Sequence, residues 1–167
     1  MKTVIVQASS RSTGNTQKIV RILQDNIKTD LIDLSKLNIG QYCYENRNEG
    51  DDFLPAIRKI VEYDLVIFAT PVYWYSMSGL LKTFLDRITE CLKTEKETGR
   101  KLRGKYMAAI SCGSESTEIE GFFVPFKLTA EYLGMNYLGD VHTWISGENP
   151  GEEVFKRINK FSAEIQE

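Results

Sequence analysis

Short apolar runs and helical patterns alternate along this chain five times, and that alternation limits the fold more than any other feature. Thr3-Val4-Ile5-Val6, Thr29 to Leu34, Leu65-Val66-Ile67-Phe68-Ala69, Tyr106 to Ser111 and Met135 to Ile145 read as strands. Helical spacing follows each of them, over roughly 15–28, from Asp51-Asp52 through Val61, from Gly79 to Leu92, over roughly 120–133, and from Gly151 to Ile165. The two acids ahead of Phe53 suit the first turn of a helix, where the dipole favours negative charge. Two stretches lack a pattern: Ser35 to Gly50, and the charged run Thr94 to Arg103, both read as loops. Parallel strands need long crossovers, and right-handed crossovers put helices over both sides of the sheet. The expectation is one α/β domain over residues 1–167, a doubly wound five-stranded parallel sheet. At this length it buries about 70% of the surface its unfolded chain exposes. In such sheets ligands lie beyond the carboxyl ends of the strands, where the strand order reverses.

The first strand runs directly into Gln7-Ala8-Ser9-Ser10-Arg11-Ser12-Thr13-Gly14-Asn15-Thr16, a loop of hydroxyls, one guanidinium and one glycine at the start of a helix. A helix start offers unpaired N–H groups and the positive end of the macrodipole, so this loop reads as a seat for a phosphate. The plainer alternative is that Ser12, Thr13 or Asn15 merely caps the helix. The loop has neither the G-x-G-x-x-G of a dinucleotide fold nor the G-x-x-x-x-G-K-[ST] of a triphosphate site. Hydroxyls, an amide and backbone N–H groups suit a terminal monophosphate. Among doubly wound sheets, the flavodoxin-like order 2-1-3-4-5 with flavin mononucleotide (FMN) at its switch point fits best.

A flavin needs a flat surface, and the third strand leads into Thr70-Pro71-Val72-Tyr73-Trp74-Tyr75-Ser76-Met77-Ser78-Gly79. Pro71 ends the strand, and Ser78-Gly79 opens the next helix. Three consecutive aromatics at a strand's carboxyl end read as a ring-binding shelf; the competing reading packs them onto the neighbouring helix.

These two segments, Ala8 to Thr16 as A-S-S-R-S-T-G-N-T and Pro71 to Arg87 as P-V-Y-W-Y-S-M-S-G-L-L-K-T-F-L-D-R, resemble the phosphate and ring loops of the flavodoxin-like NAD(P)H-dependent FMN reductases and oxidoreductases. The resemblance implies that Ser9, Arg11, Ser12, Gly14, Asn15 and Thr16 hold the FMN phosphate, and that Pro71, Val72, Tyr73, Trp74 and Ser76 meet the isoalloxazine ring. Ser111 and Gly113, after the fourth strand, would close the ring's other edge, with Gly113 letting backbone approach it. Lys82, Asp86 and Arg87 match the motif as structural pairs. It also implies NAD(P)H as hydride donor, a small-molecule acceptor such as a quinone, a nitro or azo compound, free flavin or a metal ion, and a homodimer. The iron-sulfur flavoproteins of this group carry clustered cysteines ahead of their D-D-[MF] sequence. Here Asp51-Asp52-Phe53 remains but only Cys43 precedes it, and one thiolate cannot hold a cluster. The expectation is a flavin-only member with no metal site.

Composition narrows the alternatives. A net charge of -2 with scattered basic residues favours neither nucleic acid nor an acidic membrane surface. It also argues against a flavodoxin-type electron carrier, whose cofactor is ringed by acids that dock basic partners. A metal-binding receiver-like domain would want paired acids after the first strand, where this chain has Gln7-Ala8-Ser9. Cys43, Cys91 and Cys112 form no C-x-x-C pair and read as reduced thiols of a cytoplasmic protein. Met1-Lys2 leads straight into the first strand, with no signal-peptide pattern. His142, the single histidine, falls in the fifth strand and reads as packed or hydrogen-bonded rather than catalytic. No catalytic side chain is assigned, because a flavin carries hydride chemistry itself.

Overall fold

A computed structural model describes residues 1–45 and 48–166; Asn46 and Arg47, within the patternless 35–50 stretch, and Glu167 lie outside the described residues. Strands β1 (Thr3–Gln7), β2 (Thr29–Asp33), β3 (Leu65–Pro71), β4 (Tyr106–Gly113) and β5 (Asn136–Trp144) form one sheet in the order β2-β1-β3-β4-β5. Every pairing is parallel, as the alternation of elements requires.

The apolar runs lack polar alternation because the central strands are covered twice. Val4, Val6, Val66, Phe68, Met107 and Ala109 point to one core, shared with α2 (Phe53–Ile60), α3 (Gly79–Arg87) and α6 (Val124–Leu133). Ile5, Leu65, Ile67, Ala69, Ala108 and Ile110 point to the other, shared with α1 (Asn15–Asn26) and α7 (Glu152–Glu164). The period-two direction of strand side chains thus builds two cores from uninterrupted hydrophobic sequence.

Three local expectations are corrected. The Gly79–Leu92 pattern is two helices, α3 and then α4 (Thr89–Lys93), because the chain tightens at Ile88, whose N–H bonds to the Leu85 carbonyl at 3.1 Å. The charged run 94–103 holds a short helix, α5 (Lys96–Arg100), that buries Thr98 and, just beyond it, Leu102. Its pattern is hidden because Thr98 is the one buried residue of the helix. Gly99 is needed there: a Cβ would come within 2.2 Å of the Cys91 carbonyl oxygen. The acids before α2 lie outside that helix and tie down the preceding loop. Asp52 accepts the Asn38 N–H at 2.7 Å, and Asp51 accepts the N–H groups of Gly40 at 2.9 Å and Phe53 at 3.0 Å.

The DR pair of the motif diverges in role. Lys82 and Asp86 form an exposed i,i+4 ion pair at 2.6 Å, whereas Arg87 is 1% exposed and pairs with both Asp51 and Glu90 beneath the 35–50 loop.

Candidate functional site

The chain leaves β1 for one face of the sheet and β3 for the other, so the loops after these neighbouring strands part and leave a crevice at their carboxyl ends. Three bonds hold its lips together. The Ala8 N–H donates to the Ala69 carbonyl at 2.8 Å, the Ser78 hydroxyl donates to the Ala8 carbonyl at 2.6 Å, and the Ser10 and Tyr73 hydroxyls lie 2.8 Å apart. Ser78 also caps α3 by accepting the Leu81 N–H at 3.1 Å. One serine therefore fixes both the helix start and the first loop.

In the first loop, the capping alternative fails. Gly14 stands at the N-cap of α1 in extended conformation, and no side-chain oxygen closes the first turn. Ser12 instead meets the Ser35 hydroxyl at 2.9 Å, which in turn donates to Asp33 at 2.7 Å. The Gln17 N–H turns back to the Gly14 carbonyl at 3.1 Å, while the N–H groups of Asn15 and Thr16 stay open to an anion. Around them Arg11 and Asn15 are exposed, Ser9 and Thr16 are buried, and no ion pair among the described residues uses Arg11. Beneath the loop Gln7 is fully buried; its amide nitrogen reaches the Ser12 carbonyl at 3.5 Å while its Oε1 has no partner. A buried unpaired acceptor at the floor of this loop leaves room for one further donor. The residues present fit a phosphate.

The aromatic segment also stays out of the core. Tyr73 and Ser76 exchange backbone hydrogen bonds at 2.9 and 3.1 Å, closing a two-residue hairpin turn with Trp74 and Tyr75 at its tip. Both tip residues hold positive φ, 47° and 66°. Turns of this kind favour Asn-Gly, and a bulky residue there is strained by roughly 1–2 kcal/mol. Trp74 is 92% exposed. Strain and exposure together mark a surface held for a ligand rather than for stability. The double variant Trp74→Asn/Tyr75→Gly is expected to raise the stability of the flavin-free protein by about 1–2 kcal/mol, read as a higher urea midpoint. A lower midpoint would show that the aromatics pack after all.

Trp74, Tyr75 and Val72 form one side of a cavity of about 460 Å³; Gly113, Ser114, Glu115, Thr117, Ile119 and His142 form the other. The strand runs further than its apolar pattern, through Gly113, so Ser111 lies inside β4, buried, and not in the loop. Its hydroxyl meets His142 Nδ1 at 2.8 Å, and His142 Nε2 reaches the Glu115 carbonyl at 2.9 Å. Because a carbonyl only accepts, Nε2 carries a proton and Nδ1 is free to accept from Ser111. The histidine is hydrogen-bonded, as its strand position suggests, and it ties the loop after β4 to the sheet. A Cβ on Gly113 would stand 3.1 Å from that imidazole, which accounts for the glycine. His142, Glu115, Thr117 and Ile119 had no motif to mark them.

The family of NADPH-dependent FMN reductases matches over residues 1–148. This chain belongs to that family. The protein is therefore an FMN-dependent flavin oxidoreductase that uses NAD(P)H. Bacillus subtilis YwqN, assigned as an NAD(P)H-dependent FMN-containing oxidoreductase, is 28% identical over 162 residues, covering 91% of this chain and 88% of YwqN. The iron-sulfur flavoprotein MJ1083 of Methanocaldococcus jannaschii is 28% identical over 193 aligned residues, covering 99% and 97%. An FMN-dependent NADH-azoreductase from Bacillus anthracis, solved with FMN, superposes with a TM-score of 0.72 at 14% identity over 100% of both chains, a likeness of fold. Among the described residues no group of three or more His, Cys, Asp or Glu could hold a metal, and no helix is long and apolar enough to cross a membrane. Burial pushes the Cys91 and Cys112 thiols up to about 12 and about 11, Cys91 further through Glu90 and Glu95. Both are expected to resist iodoacetamide at pH 8 in the folded protein, with mass spectrometry finding them labelled only after unfolding.

Proposed function

We propose that this FMN reductase takes hydride from NADH or NADPH and passes the electrons to a small acceptor, such as a quinone, a nitro or azo compound, free flavin or a metal ion. The strained Trp74-Tyr75 turn, exposed at the rim of the cavity and bonded through Tyr73 to the open phosphate loop, is the observation that carries this reading. Bound FMN supplies the redox chemistry, and the protein binds, orients and shields it. Ser9, Arg11, Ser12, Gly14, Asn15 and Thr16 hold the phosphate. Pro71, Val72, Tyr73, Trp74 and Ser76 hold the ring, and the backbone around Gly113 lines its far edge. Ser111 contributes through His142, fixing the loop that ends at Ile119. The protein works in the cytoplasm as a homodimer. FMN-loaded protein is expected to be yellow and to bleach with NADH or NADPH; the colour then returns on adding menadione or an azo dye. A yellow protein that neither nucleotide bleaches would be an electron carrier instead.

A further inference from the structure

A second groove begins where the ring shelf ends. It has a volume of about 600 Å³ and runs along the outer face of α3, past Gly79, Lys82, Thr83 and Asp86, with Tyr42 and Tyr44 as its opposite wall. Gly79 follows Ser78, the residue that pins the first loop, so one end of the groove opens beside the aromatic turn. At about 1.5 Å per residue, α3 lays out roughly 13 Å of floor leading away from it. The Tyr wall is built. Its rings meet edge to face, with centroids 5.1 Å apart, and Tyr44 remains 86% exposed. The Lys93 ammonium donates to the Tyr42 hydroxyl at 3.0 Å and lies 5.0 Å from the Tyr44 centroid. Across the groove Lys82 forms an exposed pair with Asp86, which costs little to break.

An aromatic wall backed by the Lys93 ammonium, facing Lys82 and Thr83 on the α3 side of the groove, matches a planar base joined to a phosphate. We propose that this groove receives the adenylate half of NAD(P)H, with the base against Tyr44 and the phosphates toward Lys82 and Lys93. The inference rests on the hydride-donor reading above: the nicotinamide must meet the flavin ring beside the aromatic turn to pass hydride, which leaves the other half of an extended dinucleotide to be held nearby. The groove combines aromatic and cationic walls, and its lining includes Gly79, four residues on from the turn's Tyr75.

The test compares NADH with reduced nicotinamide mononucleotide, which lacks the adenylate, on the FMN-loaded full chain. Tyr44→Ala is expected to lower the ratio of the two kcat/KM values about tenfold, the loss a stacked base carries. Thr83→Trp, which fills the groove, is expected to do the same. Adenosine 5′-monophosphate should bind the unaltered protein in calorimetry and should no longer bind Thr83→Trp. An unchanged ratio in both variants, with no binding of the monophosphate, overturns the proposal. So does an equal loss with both donors accompanied by a fall in sedimentation mass, which would assign the groove to a second copy of the chain. If neither donor bleaches the flavin, the activity reading fails, and binding of the monophosphate alone still decides the groove.

Discussion

Replacing Arg87 with alanine is expected to lower the unfolding free energy by about 3 kcal/mol, because it leaves two largely covered carboxylates, 10% and 11% exposed, without their cation. The guanidinium bonds to Asp51 through both terminal nitrogens, one of them at 3.1 Å, to Glu90, and to the Gly40 carbonyl at 2.9 Å, and it stacks 4.7 Å from the centre of the Phe53 ring. Arg87→Met keeps the stem against Phe53 but still strands the acids, so it should recover only a minor part of the loss. The pH dependence has a definite sign. Burial alone would raise the Asp51 carboxyl, but the bonds from Arg87, Gly40 and Phe53 outweigh it and hold the group below the usual carboxylate value. A folded-state pKa below the unfolded one stabilises the fold above the unfolded value, and that stability is lost as pH falls through the folded value. Denaturant unfolding across pH 2–7 reads it directly: Asp51→Asn should be less stable at neutral pH and show a shallower loss in acid. Equal acid slopes in the two proteins would remove Asp51 from the account.

Loss of the phosphate seat should be nearly as costly for flavin binding. Arg11→Ala combined with Ser9→Ala is expected to weaken FMN affinity by about 2–3 kcal/mol, discounted for the exposure of Arg11; that is roughly 30- to 150-fold in Kd. Fluorescence quenching of free FMN measures it, and an unchanged melting temperature of the flavin-free variant separates loss of binding from loss of fold. Ser9 is buried beside the Arg11 N–H, which it accepts at 3.5 Å, so its truncation also loosens the loop that presents the guanidinium. Undiminished flavin retention would reduce the segment to an ordinary helix start.

These two sites differ in how far they can be read from the chain. The phosphate loop is contiguous, so its hydroxyls, Arg11 and Gly14 stand together in the sequence, and the helix that follows aims them. The Arg87 cluster joins residues 36 positions apart, and Asp51 looks like an ordinary helix-start acid until the chain before it folds over α3. The same holds for His142, whose bond to Glu115 spans 27 positions. A lone histidine in a strand gives no hint of the loop it will restrain. Likewise α5 carries no readable pattern, because its charges outnumber its one buried residue, Thr98.

By itself, the order of apolar runs and helical spacings determined the sheet, its two covered faces and the crevice at the reversal point, since burial periodicity is local and chirality permits few connections. Two contiguous motifs, through their resemblance to a flavin reductase family, implied FMN chemistry at that crevice. Only the tertiary structure decided that the Tyr-Trp-Tyr tip turns outward on a strained hairpin, that Arg87 is a buried clamp while Lys82 is a surface ion, and that Tyr42 and Tyr44 wall a groove along α3. Each of these depends on which distant segments the packed chain brings within a few ångströms, and no periodicity records that distance.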